Sequence, residues 1–136
     1  MFLDISSLEK ALSSLGAALT ELQKGDANTF VRDATIQRFE FSYELAHKML
    51  KRYLEMTESS VEEIDQMSFQ TLIRTGAERG LLVNSWDVWS VYRNARNLTS
   101  HTYNEEKAIQ VCQVIQDFYK DAIYLLDQLK LRVNIK

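Results

Sequence analysis

The stretch that decides the fold is Trp86-Asp87-Val88-Trp89-Ser90-Val91-Tyr92-Arg93-Asn94-Ala95-Arg96-Asn97-Leu98-Thr99-Ser100-His101-Thr102-Tyr103. On a helix, at about 100° per residue, Val88, Val91, Ala95, Leu98 and Thr102 share one face, which should turn into a core. Trp89, Tyr92, Arg96 and Tyr103 form a second stripe. Ser90, Asn94, Asn97 and His101 form a third, wholly polar one. On an unbroken helix Arg96 and His101 stand about 140° apart. They converge only if the helix breaks near Ser100 or if another chain supplies one of them.

Downstream, Asn104 is placed to cap a last helix, with Glu105 and Glu106 at its positive end. Its core stripe is Ala108, Val111, Ile115, Phe118, Ala122, Leu125 and Leu129. Tyr119, Ile123 and Leu126 widen that stripe, which predicts a second apolar surface and a homodimer. Upstream, Asn84 or Ser85 caps the Trp86 helix, after the apolar link Leu81-Leu82-Val83. Ser68 caps a short helix to about Arg79, with Phe69, Leu72 and Ile73 inward and Gly80 closing it. Glu58 to Gln66 is polar and acidic and reads as a connector.

A long helix is predicted from about Thr29 to Thr57, with Ile36, Phe39, Tyr43, Ala46, Leu50, Tyr53 and Met56 as its core stripe. Gln37, Glu40, Glu44, His47, Lys48 and Lys51 lie on its flank, either as a solvated face or as the polar wall of a groove. Glu44 four residues before Lys48 is the favourable order for a helical ion pair. At the start of the chain, Ser6-x-x-Glu9 reads as a capping box. It is followed by Ile5, Leu8, Leu12, Leu15, Leu19 and Leu22 at heptad spacing, and Gly25-Asp26-Ala27-Asn28 stops the helix. No strand-period alternation occurs. Four long helices and one short one predict an all-α, antiparallel up-down four-helix bundle with one extra short helix, in a single domain over residues 1–136.

Composition bounds the function. The chain has 136 residues, no Pro and 4 Gly, so helix breakers are scarce. A net charge of −3 gives no overall basic field, though a local patch can still bind nucleic acid. One cysteine excludes an internal disulfide and fits a reducing cytoplasm. Met1-Phe2-Leu3 runs straight into Asp4, unlike a signal peptide, and no stretch approaches the ~20 apolar residues of a membrane span.

Metal and cofactor chemistry finds no support. There is no His-x-x-x-His, and Glu44-x-x-His47 is a single copy of a motif that a di-iron bundle needs twice. Cys112, among core positions, reads as a small hydrophobe. No Gly-rich phosphate loop exists. What remains is Arg, Asn, His and Tyr. Arg is a fixed cation whose planar donors match phosphate oxygens, and His moves protons near neutrality. Such a set can cleave RNA without metal, with His101 as general acid or base and Arg96 neutralising the pentavalent phosphate. It can equally only bind a nucleotide phosphate, or be a polar network that fixes a helix end.

Arg96-Asn97-Leu98-Thr99-Ser100-His101-Thr102-Tyr103 resembles the Arg-x-x-x-x-His-x-Tyr signature of the HEPN superfamily (higher eukaryotes and prokaryotes nucleotide-binding). More closely, the chain resembles the bacterial nucleotidyltransferase substrate-binding protein branch. That likeness rests on Gln37-Arg38-Phe39-Glu40-Phe41-Ser42-Tyr43-Glu44-Leu45-Ala46 with Lys48, on Ile73-Arg74 followed by Gly80-Leu81, and on Tyr103-Asn104-Glu105, over roughly residues 30 to 110. His47 and Asn94-Ala95 depart from the branch, which carries Trp at the first position and often an acidic residue before the Arg-Asn pair.

The resemblance implies a homodimer with its Arg and His residues near a shared cleft, and a separate minimal nucleotidyltransferase as partner. In related pairs the helical member is a ribonuclease toxin, silenced when the partner adds AMP to the motif tyrosine, here Tyr103. The expected function is therefore a subunit that binds a nucleotide or RNA phosphate and pairs with a minimal nucleotidyltransferase in a toxin–antitoxin-like system. The alternatives are a metal-independent ribonuclease or a plain dimerisation module. Arg96, His101 and Asn97 are the expected catalytic set. Glu40, Tyr43, Glu44, Lys48 and Arg93 are the expected binding groups, and no metal or cofactor is expected.

Overall fold

The computed structural model describes residues 2–25 and 28–133. Its helices are α1 (Ser6–Leu22), α2 (Thr29–Thr57), α3 (Val61–Gln66), α4 (Phe69–Glu78), α5 (Trp86–Leu98), a 3₁₀ turn (Thr99–His101) and α6 (Glu105–Arg132). The long helices α1, α2, α5 and α6 run up-down-up-down. Lys130 meets Glu9 at 2.5 Å and Gln23 meets Gln116 at 2.9 Å, so α1 and α6 are antiparallel. Arg96 against Glu44 and Thr99 against Glu40 show the same for α5, with the 3₁₀ turn after it, and α2. The all-α bundle read from the sequence is the fold. Among the described residues no helix is long and apolar enough to cross a membrane.

The core follows the apolar stripes. Ile5, Leu8, Leu12, Leu15 and Leu19 are buried, as are all seven stripe residues of α6. Phe39, Phe118, Trp89 and Tyr92 meet edge-to-face at the centre, with ring centroids 5.1–5.9 Å apart. Two stripe assignments are corrected. In α5 the inward line is Trp89, Tyr92 and Ala95, while Val91 is 48% exposed, because burying the two large rings removes more apolar surface than burying valines. Met56 is exposed near the end of α2, where Leu54 turns inward instead. The extra width of the α6 stripe is used within the subunit. Leu126 is buried, and Tyr119 packs so closely on α1 that a Cβ at Gly16 would lie 2.6 Å from its hydroxyl.

Local signals end most helices as expected. Asn28, Ser68 and Asn104 accept backbone N–H bonds at the starts of α2, α4 and α6. Gly80, at φ 76°, closes α4 while Leu81 N–H donates to the Gly76 carbonyl at 2.9 Å, a Schellman arrangement. Three expectations change. Asp4, not Ser6, serves the start of α1, accepting from the Ser6 N–H at 3.0 Å. Ser85 occupies the N-cap of α5 without a side-chain bond. The 58–66 connector contains α3, whose first turn Ser60 caps and whose Ile64 is buried. Asp26 and Ala27 of the expected helix stop, and Met1, lie outside the described residues.

Candidate functional site

Of the two alternatives left by the sequence, a break near Ser100 is present in the subunit. The last turn of α5 tightens into the 3₁₀ segment Thr99–His101, which carries Arg96 and His101 out of a single helical register. Arg96 is half-buried against α2. Its Nε donates to Glu44 Oε1 at 2.8 Å, and its Nη1 lies 3.4 Å from Glu40 Oε2. Thr99 completes the cluster. Its single hydroxyl proton has two acceptors at 2.7 Å, Glu40 Oε2 and the Arg96 carbonyl, and the oxygen receives Arg96 Nη1 at 3.3 Å. Among the described residues Nη2 of Arg96 makes no hydrogen bond. Glu44 thus pairs with Arg96 rather than with Lys48 as its helical spacing suggested.

Glu40 and Glu44, one turn apart on α2, border two clefts. One, of about 150 Å³, is lined by Asp33, Ile36, Gln37, Glu40, Thr99 and Thr102. The other is an open groove of about 480 Å³ lined by Glu44, Leu45, His47, Lys48 and Lys51. Arg96 bridges the two carboxylates, one on each cleft.

The remaining expected residues are distributed around this cluster. His101 is exposed at the end of the 3₁₀ turn, its ring edge-on to Tyr103 at 6.1 Å. Tyr103 is 86% exposed. No hydrogen bond joins Arg96 to His101 among the described residues. Asn97 is exposed, and its carbonyl receives Ser100 Oγ at 3.4 Å. Lys48 projects into the open groove. The guanidinium of Arg93 lies 5.9 Å from the ring centroids of both Phe69 and Trp86. Tyr43 lies beneath these groups: its ring is buried against Phe39, Phe69 and Phe118, and burial pushes its hydroxyl up to about 12 although Arg93 and Arg96 are near enough to lower it. Burial likewise raises the Cys112 thiol, so the thiolate is disfavoured there.

Two features escaped the sequence reading. Thr99, which falls in none of the helical stripes, joins Arg96 to Glu40. Asp121, buried in α6, accepts a short hydrogen bond from the Tyr92 hydroxyl and two 3.0 Å contacts from Asn84 Nδ2. A carboxylate at an otherwise apolar helix position was the available signal.

The comparisons with known proteins agree with this architecture. A family model described as "Nucleotidyltransferase substrate binding protein like" matches residues 3–131. A curated relative from Haemophilus influenzae, named "Probable ribonuclease HepT", is 37% identical over 140 residues, covering 96% of this chain and 94% of its own length. A solved structure from Haemophilus influenzae, described as revealing the fold of a substrate binding domain of a nucleotidyltransferase, superposes with a TM-score of 0.84. It is 34% identical, over 93% of this chain and 98% of that one.

Proposed function

This chain belongs to the family of proteins like the nucleotidyltransferase substrate-binding protein, and from that membership we propose a helical subunit that binds a nucleotide or RNA phosphate and pairs with a separate minimal nucleotidyltransferase. The observation that carries this reading is the Arg96 guanidinium, fixed by Glu40, Glu44 and Thr99 with Nη2 unengaged, and bridging carboxylates that line two clefts. A phosphate reaching Nη2 and Nε competes only with Glu44, a carboxylate whose side chain is 54% exposed. Titration with AMP and with a non-cleavable 2′-O-methyl oligoribonucleotide, wild type beside Arg96→Ala, tests it. Binding that Arg96→Ala weakens supports the reading, and no binding at millimolar ligand overturns it.

A second reading, metal-independent ribonuclease, is favoured by the printed name of the Haemophilus influenzae relative. In that chemistry the 2′-oxygen attacks phosphorus and the bond to O5′ breaks. His101 takes the 2′-OH proton or protonates O5′, Arg96 stabilises the added charge, and Asn97 orients them. Because Arg96 and His101 share no bond within the subunit, the homodimer belongs to this reading, a second copy bringing the other group to a shared cleft. Tyr103, exposed beside His101, is the hydroxyl on which a partner would place AMP from ATP, releasing pyrophosphate, as in a cytoplasmic toxin–antitoxin pair. RNA cleavage in EDTA that His101→Ala abolishes supports the nuclease. Intact mass after incubation with the partner and ATP reads the modification, and a spectrum without AMP-sized increments removes it.

A further inference from the structure

Outside the Arg96 cluster, Phe69 and Trp86 pack on the rim of the core and leave part of each ring at the surface. Phe39, Tyr43, Trp89 and Tyr92 are buried together around Phe118. Three others, from three different helices, continue that cluster outward to the surface of the bundle, joined to it where Phe69 meets Tyr43 at 5.8 Å. His47 of α2 lies edge-on to Phe69 of α4 at 4.5 Å, and Phe69 lies edge-on to Trp86 of α5 at 5.9 Å. All three are only partly buried. Arg93 spans Phe69 and Trp86 at equal distance, and no carboxylate lies within ion-pair range of it among the described residues. An exposed arginine held by ring faces keeps its five donors available for a ligand.

This cluster adjoins the side chains that the phosphate reading uses. His47 lines the same open groove as Glu44, the partner of Arg96, and Lys48. Along α5, Arg93 precedes Arg96 by about 4.5 Å and Trp86 precedes Arg93 by about 10.5 Å. Cations and flat apolar rings therefore alternate along one strip. Single-stranded nucleic acid has that pattern, with anionic phosphates between bases whose faces stack on aromatic and guanidinium planes.

We propose that Trp86, Phe69 and His47, with Arg93 above them, form a nucleobase-stacking subsite for single-stranded RNA whose backbone is held by Arg96 and Lys48. The proposal rests on the phosphate reading of Arg96 and adds the base to it. Stacking reads ring faces rather than base edges, so the subsite accepts bases with little sequence preference.

The test uses the full chain and a 2′-O-methyl oligoadenylate of about six nucleotides, beside an abasic oligomer carrying the same phosphates. The oligoadenylate should bind about 10-fold more tightly than the abasic oligomer and quench tryptophan fluorescence, of which Trp86 is the accessible source and Trp89 the buried one. Trp86→Leu, which keeps an apolar cover but no ring, should lose about 10-fold for the oligoadenylate and nothing for the abasic oligomer. Trp86→Phe should retain most of the difference. Equal binding of the two oligomers to wild type overturns the subsite whatever the variants do; if Arg96→Ala still weakens both, the phosphate reading stands alone. If neither oligomer binds at millimolar concentration, the phosphate reading falls and the subsite with it.

Discussion

Two charged groups tie α5 into the bundle under opposite conditions of solvent. Asp121 of α6 is 6% exposed, and its carboxylate receives the Tyr92 hydroxyl and the Asn84 amide. Burial and this hydrogen bond push the Tyr92 hydroxyl far above its ordinary value, so it remains a donor. Arg96, near the other end of the helix, is bound to Glu40 and Glu44, whose side chains are 35% and 54% exposed. Both clusters look alike as a list of hydrogen bonds. Physically they differ in the carboxylates themselves: that of Asp121 is 6% exposed, although Asn84, Tyr92 and Asp121 border an open cleft of about 330 Å³, whereas those on Arg96 are 35% and 54% exposed. A buried carboxylate fixes position, and an exposed one can yield its partner to a ligand.

The largest expected effect is therefore at Asp121. Asp121→Ala leaves the buried Tyr92 hydroxyl and the part-buried Asn84 amide unpaired and should cost about 3 kcal/mol in urea unfolding. Tyr92→Phe should cost about 2 kcal/mol, since the carboxylate keeps only Asn84. Arg96→Ala should cost less than about 1 kcal/mol of stability. Equal destabilisation by Arg96→Ala and Asp121→Ala would erase the contrast and make the Arg96 cluster a structural clamp. On ligand the order reverses: Arg96→Ala should weaken binding of a 2′-O-methyl oligoribonucleotide about 10- to 100-fold, and Tyr92→Phe should leave it unchanged while the protein is folded.

Glu44→Gln sharpens the same contrast with a smaller effect. It removes the charge that competes with phosphate at Arg96 Nε. Affinity should rise about 3-fold, with stability moving by less than about 0.5 kcal/mol. A loss of affinity would mean that Glu44 positions the guanidinium rather than occupying it.

What the sequence made legible follows from range. The stripe of α6, that of α1 as far as Leu19, and the caps at Ser68 and Asn104 depend on neighbours within one or two turns, and all are found, while Asn28, read as part of a helix stop, also caps α2. The resemblance named the Arg96 and His101 stretch, and the helix break beyond Arg96 is one of the two alternatives that the angles left open. The bond from Thr99 to Glu40 crosses 59 residues and that from Asn84 to Asp121 crosses 37, so no local period announces either. The Val91 stripe failed for a different reason. Two apolar faces of α5 competed for the interior, and the face with the larger rings won. Helix α3, at 6 residues, is too short to show a stripe, although Ser60-x-x-Glu63 marked its start.

The smallest effect concerns His47, which lies between the two extremes, half-buried against Phe69. Burial lowers its pKa from the ordinary 6.5, Glu44 raises it, and Lys51 and Arg93 lower it further. The folded chain thus binds this proton less readily than the unfolded chain. Stability from this residue is complete above about 6.5, is lost as pH falls below it, and levels off once pH drops under the folded value. Wild type should therefore lose stability on acidification more steeply than His47→Gln over that window, read from urea midpoints at matched ionic strength. Equal slopes would show that water reaches the imidazole as freely in the folded chain as in the unfolded one. His47 would then belong with the exchangeable groups around Arg96 rather than with the rings that pack on Phe69.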